Sequence, residues 1–203
     1  MIIDETLVDL LRHGKPDPGH RYAGSLNDPL SAIGWRQMRG AVRTVAPWQK
    51  VITSPMQRCR EFAEKLARDY RAPVEIIDEL REIDFGDWEG REVEELMLED
   101  DAALQAFWRD PVNNTPPGGE PLVDFQARVL TAWQAMLDEC QGQHALMVCH
   151  SGVQRVIVGD VLNMPLGSLF NLETPYAGLS RVRVIESPEH GRSSSLVFHA
   201  GVR

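Results

Sequence analysis

An α/β fold is predicted, a three-layer α/β/α sandwich around a mainly parallel sheet. Three observations predict it. Apolar runs of four to six residues alternate with longer stretches of helical periodicity, the pattern of strands joined by crossover helices. Three of the runs lead into polar triplets of similar chemistry: Arg12-His13-Gly14, Thr53-Ser54-Pro55 leading to Arg58, and His150-Ser151-Gly152. Ligands of such sheets bind beyond the carboxyl ends of the strands, so a parallel arrangement would gather all three on one rim. The length of 203 residues fits one domain spanning 1–203, and a chain of that size buries roughly 70% of its unfolded surface.

Taken in order, Thr6 to Leu11 reads as a buried strand, stopped by Gly14 and a Pro/Gly-rich loop that runs to about Pro29. Ser31 caps a helix whose apolar face is Met38, Ala41, Val42 and Val45, and Pro47 ends it. Lys50 to Thr53 is a short strand. Ser54-Pro55 reads as a cap with proline at the first helical position, and the helix after it carries Cys59, Ala63, Leu66 and Tyr70 on one side. Pro73 to Ile77 is a third strand. It opens into D-E-L-R-E-I-D-F-G-D-W-E-G, a loop dense in carboxylates.

Helical patterns follow from Glu92 to Leu98 and from Ala102 to Trp108, before D-P-V-N-N-T-P-P-G-G-E-P breaks the chain. The segment at about 91–120 therefore reads as a helical insertion. An amphipathic helix from Leu122 to Cys140 points Phe125, Val129, Trp133 and Met136 inward. His144 to Cys149 is a buried strand, and Val153, Val156, Ile157 and Val161 mark the helix after it. Leu179 to Ile185 and Leu196 to His199 read as late strands.

The formal net charge of -9 argues against general binding to nucleic acid or an anionic membrane. No run approaches the ~20 apolar residues of a membrane span, and M-I-I-D-E-T does not read as a signal peptide. Cys59, Cys140 and Cys149 are odd in number and lack zinc-like spacing, which implies no disulfide framework and a reduced, cytoplasmic setting. An anionic substrate would have to be attracted locally.

The strand-end residues can supply that attraction. Two strand ends lead into helices, whose first N–H groups attract anions. Arg58 falls in the first turn of its helix, from which a side chain leans back toward the N-terminus. Arg12 offers a second guanidinium fork. A neutral imidazole at His13 can attack phosphorus, Gly14 permits close approach, and His150 can donate to the outer phosphate oxygens. The leaving alkoxide needs a proton from a carboxylic acid. Glu79, Glu82, Asp84, Asp87 and Glu89 all qualify, and spacing does not choose among them.

The blocks L-L-R-H-G (10–14), T-S-P-M-Q-R-C (53–59), L-R-E-I-D-F-G-D-W-E-G (80–90) and V-C-H-S-G-V (148–153), in this order over most of the chain, resemble the histidine phosphatase superfamily in its phosphoglycerate-mutase-like branch. The resemblance implies that His13 is the phosphorylated nucleophile. It makes Glu82 the proton donor, and Arg12, Arg58 and His150 the phosphate pocket with Gly14, Ser151 and Gly152 beside it. It implies no metal, no organic cofactor, and a small phosphorylated metabolite as partner. Within the branch, the stretch from M-L-E-D-D-A to P-P-G-G-E looks most like alpha-ribazole phosphatases of cobalamin assembly. Phosphoglycerate mutases and sugar-phosphate phosphatases share the same blocks and are the alternatives. Relatives continue R-H-G with Glu-Thr or Glu-Ser and soon an Asn. This chain reads Lys15-Pro16-Asp17-Pro18-Gly19-His20, with Lys15, His20 or Arg21 as substitutes and no Asn before Asn27.

Two rival readings differ in kind. C-H-S-G-V-Q-R (149–155) satisfies C-x-x-G-x-x-R, the phosphate loop of cysteine-based phosphatases, with Cys149 attacking and Arg155 cradling. A non-catalytic phosphate-binding regulator would keep the pocket without turnover, although His13, Glu82 and His150 are all intact. Metal binding by the histidines lacks ligand-like spacing. His20, His144, His190 and His199 read as structural or surface residues. Trp35, Trp48, Trp108 and Trp133 read as core, and Trp88 as core or pocket mouth. Asp84, Asp87 and Glu89 read as solvated charges or caps, the run Glu92 to Asp101 as a solvated face, and Glu120 as a backbone cap.

Overall fold

The computed structural model describes residues 4–19, 21–43 and 48–201. Val45, Pro47 and His20, named above, lie outside the described residues. The strands are β1 (Asp4–Arg12), β2 (Lys50–Thr53), β3 (Val74–Ile76), β4 (His144–Cys149), β5 (Leu179–Ser187) and β6 (Gly191–Gly201). The helices are α1 (Ala32–Val42), α2 (Gln57–Tyr70), α3 (Val93–Arg109), α4 (Leu122–Glu139) and α5 (Ser151–Val161). One sheet runs in the order β3-β2-β4-β1-β5-β6. Its first four strands are parallel, while β5 and β6 run antiparallel to their neighbours. The sheet is thus mostly parallel with helices on both faces, as the alternating pattern predicts.

Each central strand is buried on both faces, so it reads as a near-continuous apolar run rather than an alternating one. Val8, Leu10, Ala145 and Met147 meet the inward side of α4 and α5, including Phe125, Val129 and Trp133. Leu11, Val51, Leu146 and Val148 meet Met38, Cys59, Phe62 and Ala63 of α1 and α2 on the other face. Full burial of one such side chain contributes about 1.5–3 kcal/mol. Four rings and aliphatic chains, Trp88, Leu96, Leu104 and Phe107, form a satellite core under α3.

Several local expectations change. Ser31 does cap α1, accepting from Gly34 N–H at 3.1 Å. Ser54-Pro55 does not start α2. That helix begins at Gln57, and the loop residue Asn27 caps it from outside through a 2.8 Å bond to Gln57 N–H. The two helical patterns between 92 and 108 join into α3, which kinks where Asp100 leaves helical geometry (φ -148°, ψ 69°). At its start Glu92 and Glu95 form a reciprocal capping box. Strand β6 is longer than its apolar stretch, because its first half is the serine-rich Arg192 to Ser195, paired to β5 at the edge of the sheet. The Pro/Gly-rich break is no open seam: Pro117 O accepts from Asp87 N–H, and Glu120 N–H donates to Asp84 O. Among the described residues no helix is long and apolar enough to cross a membrane.

One charge sits in the middle of the sheet. Asp9, fully buried on β1, lies opposite Arg181 of β5 and accepts from its Nε at 2.6 Å. It also meets His144 Nε2 and accepts from Trp48 Nε1, both at 2.9 Å. Burial pushes the Asp9 carboxyl up, but the bonds from Arg181, His144 and Trp48 outweigh it and hold its pKa below the ordinary value. Its contribution to stability is therefore present above the ordinary carboxylate range and is lost as pH falls through the depressed value. Asp9→Ala should lower the stability measured by urea unfolding by about 2–4 kcal/mol, because it leaves Arg181 and Trp48 unpartnered. Asp9→Asn should also flatten the acid-side loss of stability, and an unchanged acid slope would contradict this account.

Candidate active site

The parallel register builds the rim. Arg12 pairs with Cys149, and Thr53 with Val148, so β1, β2 and β4 end side by side. His13 N–H donates to Cys149 O at 2.9 Å, and Ser54 N–H to Val148 O at 3.2 Å. The rings of His13 and His150 consequently meet edge to face with centroids 5.2 Å apart. Two glycines make the turn after His13 possible. A Cβ on Gly14 would lie 2.3 Å from Gly34 O, and one on Gly34 would lie 2.3 Å from Lys15 O. Gly14 thus lets the chain press against α1.

His13 is buried, and its Nδ1 lies 2.8 Å from Gly14 O. A carbonyl only accepts, so Nδ1 carries the hydrogen and Nε2 keeps its lone pair. Burial, then the charges of Arg58 and Arg12, hold the His13 pKa well below its ordinary value, so the ring is neutral at pH 7. Burial, then the charge of Arg58 and the neighbouring His13 and Arg12, likewise hold the His150 pKa well below its ordinary value. Its Nδ1 accepts from Arg58 Nε at 3.2 Å, which leaves its Nε2–H for Ser54 Oγ at 2.8 Å. Both nitrogens of His150 are thus bonded within the protein, where the sequence reading aims one at phosphate.

Arg58 is 1% exposed and also donates to Gly24 O and Leu26 O. Arg12 donates through Nη1 to Thr174 O, while its Nε is buried without a partner. Among the described residues neither guanidinium has a carboxylate within 4.0 Å. Arg58, buried, and Arg12, half-buried, thus stand beside a neutral imidazole without a carboxylate, an arrangement an anion could complete, since charge removed from water needs a counter-charge.

Of the five candidate carboxylates named from sequence, Glu82 reaches this site. It is 8% exposed and lines the same cavity of about 270 Å³ as Arg12, His13 and Arg58. Glu79 and Asp87 are exposed, Asp84 accepts from Gly86 N–H, and Glu89 accepts from Ser25 and Phe85. Ser151 and Gly152, expected beside phosphate, bond to Glu82 instead. The helix N-termini therefore offer fewer free N–H groups than the sequence suggests: Gln57 N–H is taken by Asn27 and Gly152 N–H by Glu82. Glu120 is no backbone cap; its carboxylate pairs with Arg128 at 2.7 and 2.8 Å.

The outer wall combines Arg155 and Arg21, which the sequence offers in other roles, with two rings it does not mark as part of the site. Arg155 lines the cavity from α5, bonded through Nε to Leu172 O at 3.0 Å. Its spacing of four from Ser151 puts both on one helical face, a signal that was available. Tyr176 covers Arg12, whose guanidinium carbon lies 4.2 Å from the ring centroid. Trp108, assigned to the core, is 45% exposed at the cavity and donates to Tyr22 Oη at 3.3 Å. Nothing local marks these two rings. Trp88 packs in the satellite core. The atypical loop contributes Arg21, held by Asp28 at 2.8 Å, to the cavity wall. Cys149 is fully buried, and burial pushes its thiol well above the ordinary value, so no thiolate is available there. Among the described residues no three His, Cys, Asp or Glu side chains are grouped to hold a metal ion.

The family model described as histidine phosphatase superfamily (branch 1) matches residues 8–193. The chain is 34% identical over 180 residues to the "Bifunctional protein Rv2228c" of Mycobacterium tuberculosis, covering 86% of this chain but 49% of that protein. It thus spans about half the length of that relative. It is 32% identical over 167 residues to the adenosylcobalamin/alpha-ribazole phosphatase of Escherichia coli (strain K12), covering 80% of this chain and 82% of that one. The solved structure of Bacillus stearothermophilus YhfR superposes with a TM-score of 0.85 at 27% identity, covering 98% of both chains.

An anion site of this kind predicts ligand stabilisation. Inorganic phosphate should raise the melting midpoint of the protein, with a gain of about 2.7 kcal/mol at a hundred times Kd that grows further with concentration. Arg58→Gln should lose most of that rise, and a variant that responds like the parent would remove Arg58 from the anion site.

Proposed function

We propose, from the premise that the chain belongs to the histidine phosphatase superfamily, branch 1, that it is a metal-independent phosphomonoesterase working through phosphohistidine. One observation carries the proposal: His13 is fixed as the neutral tautomer with its Nε2 lone pair available, beside two arginines that lack carboxylate partners. No base is needed to prepare such a nucleophile.

In the first step Nε2 of His13 attacks phosphorus in line, the bond from phosphorus to the ester oxygen breaks, and Glu82 gives its proton to the departing alkoxide. Arg12 and Arg58 balance the charge on the outer oxygens. His150 holds Arg58 through Nδ1, and its Nε2–H exchanges Ser54 for a phosphate oxygen. In the second step Glu82, now a carboxylate, takes a proton from water as the water oxygen attacks phosphorus. The bond from phosphorus to Nε2 breaks, which returns neutral His13, protonated Glu82 and free phosphate.

The substrate we propose is alpha-ribazole 5′-phosphate. The aromatic outer wall of Tyr22, Trp108 and Phe170 suits the flat ring of that alcohol, and the name of the Escherichia coli relative points the same way. Sugar phosphates and 3-phosphoglycerate are the alternatives.

His13→Ala should reduce release of phosphate from p-nitrophenyl phosphate by at least about a thousandfold. Cys149→Ser should leave it within a few-fold, and the reverse pair of results would sink the histidine mechanism. The trapped phosphoenzyme should be lost in acid and survive base. A chelator that abolishes turnover would contradict the metal-free reaction. A phosphate-release screen over alpha-ribazole 5′-phosphate, sugar phosphates and 3-phosphoglycerate tests the substrate. Transfer to a second position of phosphoglycerate in place of release would make the enzyme a mutase, and binding without release a regulator.

A further inference from the structure

We propose that Ser151 is a positioning residue for Glu82, and that its hydroxyl makes Oε2 the oxygen that carries the transferable proton. The inference rests on the reading of Glu82 as proton donor. The carboxylate of Glu82 is pressed against the first turn of α5. Gly152 N–H lies 3.1 Å from each of its oxygens. Ile83 N–H donates to Oε1 at 3.2 Å, and Ser151 Oγ–H donates to Oε2 at 3.1 Å. The approach is close enough to require glycine at 152: a Cβ there would sit 2.3 Å from Oε1 and 3.0 Å from the Phe125 ring.

The two oxygens therefore differ. Oε1 faces two backbone N–H groups, which can only donate and cannot turn away. A proton placed on Oε1 would confront both. Oε2 shares one of those N–H groups and otherwise meets a hydroxyl, which donates to a carboxylate and rotates to accept from a carboxylic acid. Ser151 is thus the one partner of Glu82 that suits both states of the catalytic cycle. Ser151 and Glu82 line the same cavity, so the exchange takes place beside the leaving group.

The other charged and titratable groups facing Glu82 come from several elements. Arg12 at the end of β1 and Arg155 on α5 act on it as positive charges. Cys59 on α2 and Cys149 on β4 interact with it electrostatically. Arg128 on α4 donates to its backbone carbonyl at 3.1 Å, and His13 and Arg58 line the cavity with it. None of these can switch from donor to acceptor at Oε2 as the Ser151 hydroxyl does.

The test compares Ser151→Ala with Ser151→Thr, which keeps the hydroxyl. An alkyl ester such as glycerol phosphate needs its leaving oxygen protonated, whereas p-nitrophenolate leaves with little help. Ser151→Ala should lower kcat for the alkyl ester about tenfold, a fraction of the 10²–10⁴ typical of a whole general acid. Phosphoenzyme formation from p-nitrophenyl phosphate should slow less than formation from the alkyl ester, whereas breakdown of the phosphoenzyme, in which Glu82 is the base for both esters, should slow equally. Ser151→Thr should restore both readouts. Equal losses in phosphoenzyme formation from the two esters, or a threonine variant no better than alanine, would each overturn the proposal. If the parent protein hydrolyses neither ester, the phosphatase reading falls, whereas hydrolysis of both with equal losses in Ser151→Ala sinks the role of Ser151 alone.

Discussion

A guanidinium buried without a carboxylate is expensive, and Arg58 is in that position. It is 1% exposed, and its partners are the carbonyls of Gly24 and Leu26 and a ring nitrogen of His150. Three neutral acceptors offset part of a desolvation cost of several kcal/mol and leave the charge uncancelled. Much of the surrounding geometry follows. The loop after β1 must fold back so that its carbonyls reach α2, and Asn27 then caps that helix. His150 must turn its Nδ1 to Arg58, which directs Nε2 to Ser54. In the proposed function, a phosphate dianion at the rim would complete the charge balance that the protein alone leaves open.

The chain buries charge in two places and resolves it in opposite ways. Asp9 meets Arg181, His144 and Trp48, so β1, β4, β5 and the segment just before β2 are tied together with every partner supplied by the protein. At the end of the same strand Arg12 keeps a buried Nε without a partner. The first arrangement stabilises the fold by itself. The second withholds a counter-charge, which only a ligand can bring. Strand β1 therefore carries both a structural charge and a functional one, three residues apart.

The two carboxylates near the site show how backbone geometry assigns roles. Glu82 and Glu89 belong to one loop, yet Glu89 turns to Ser25 and Phe85 and stabilises loop contacts, whereas Glu82 lies on the first turn of α5. Gly152 creates the space for that approach. The N-terminus of α5 is thus spent on holding a carboxylate in place, and the proposed phosphate site would rely on arginines more than on helix ends.

The sequence by itself determined the order of strands and helices, the parallel core and the strand-end residues Arg12, His13, Arg58 and His150. Those features are written locally, in apolar periodicity and in the polar residues that stop each run. It also isolated the loop holding the acid, although resemblance to a family, and not spacing, singled out Glu82. Only the tertiary structure decided what depends on segments far apart in the chain. That includes the capture of Gln57 N–H by Asn27, the pairing of Ser151 and Gly152 with Glu82, and the burial of Asp9 among partners from three other segments. It also includes the arrival of Trp108, Arg155 and Tyr176 on one wall. A side chain's partners are set by which loops cross near it, and no local pattern encodes that crossing.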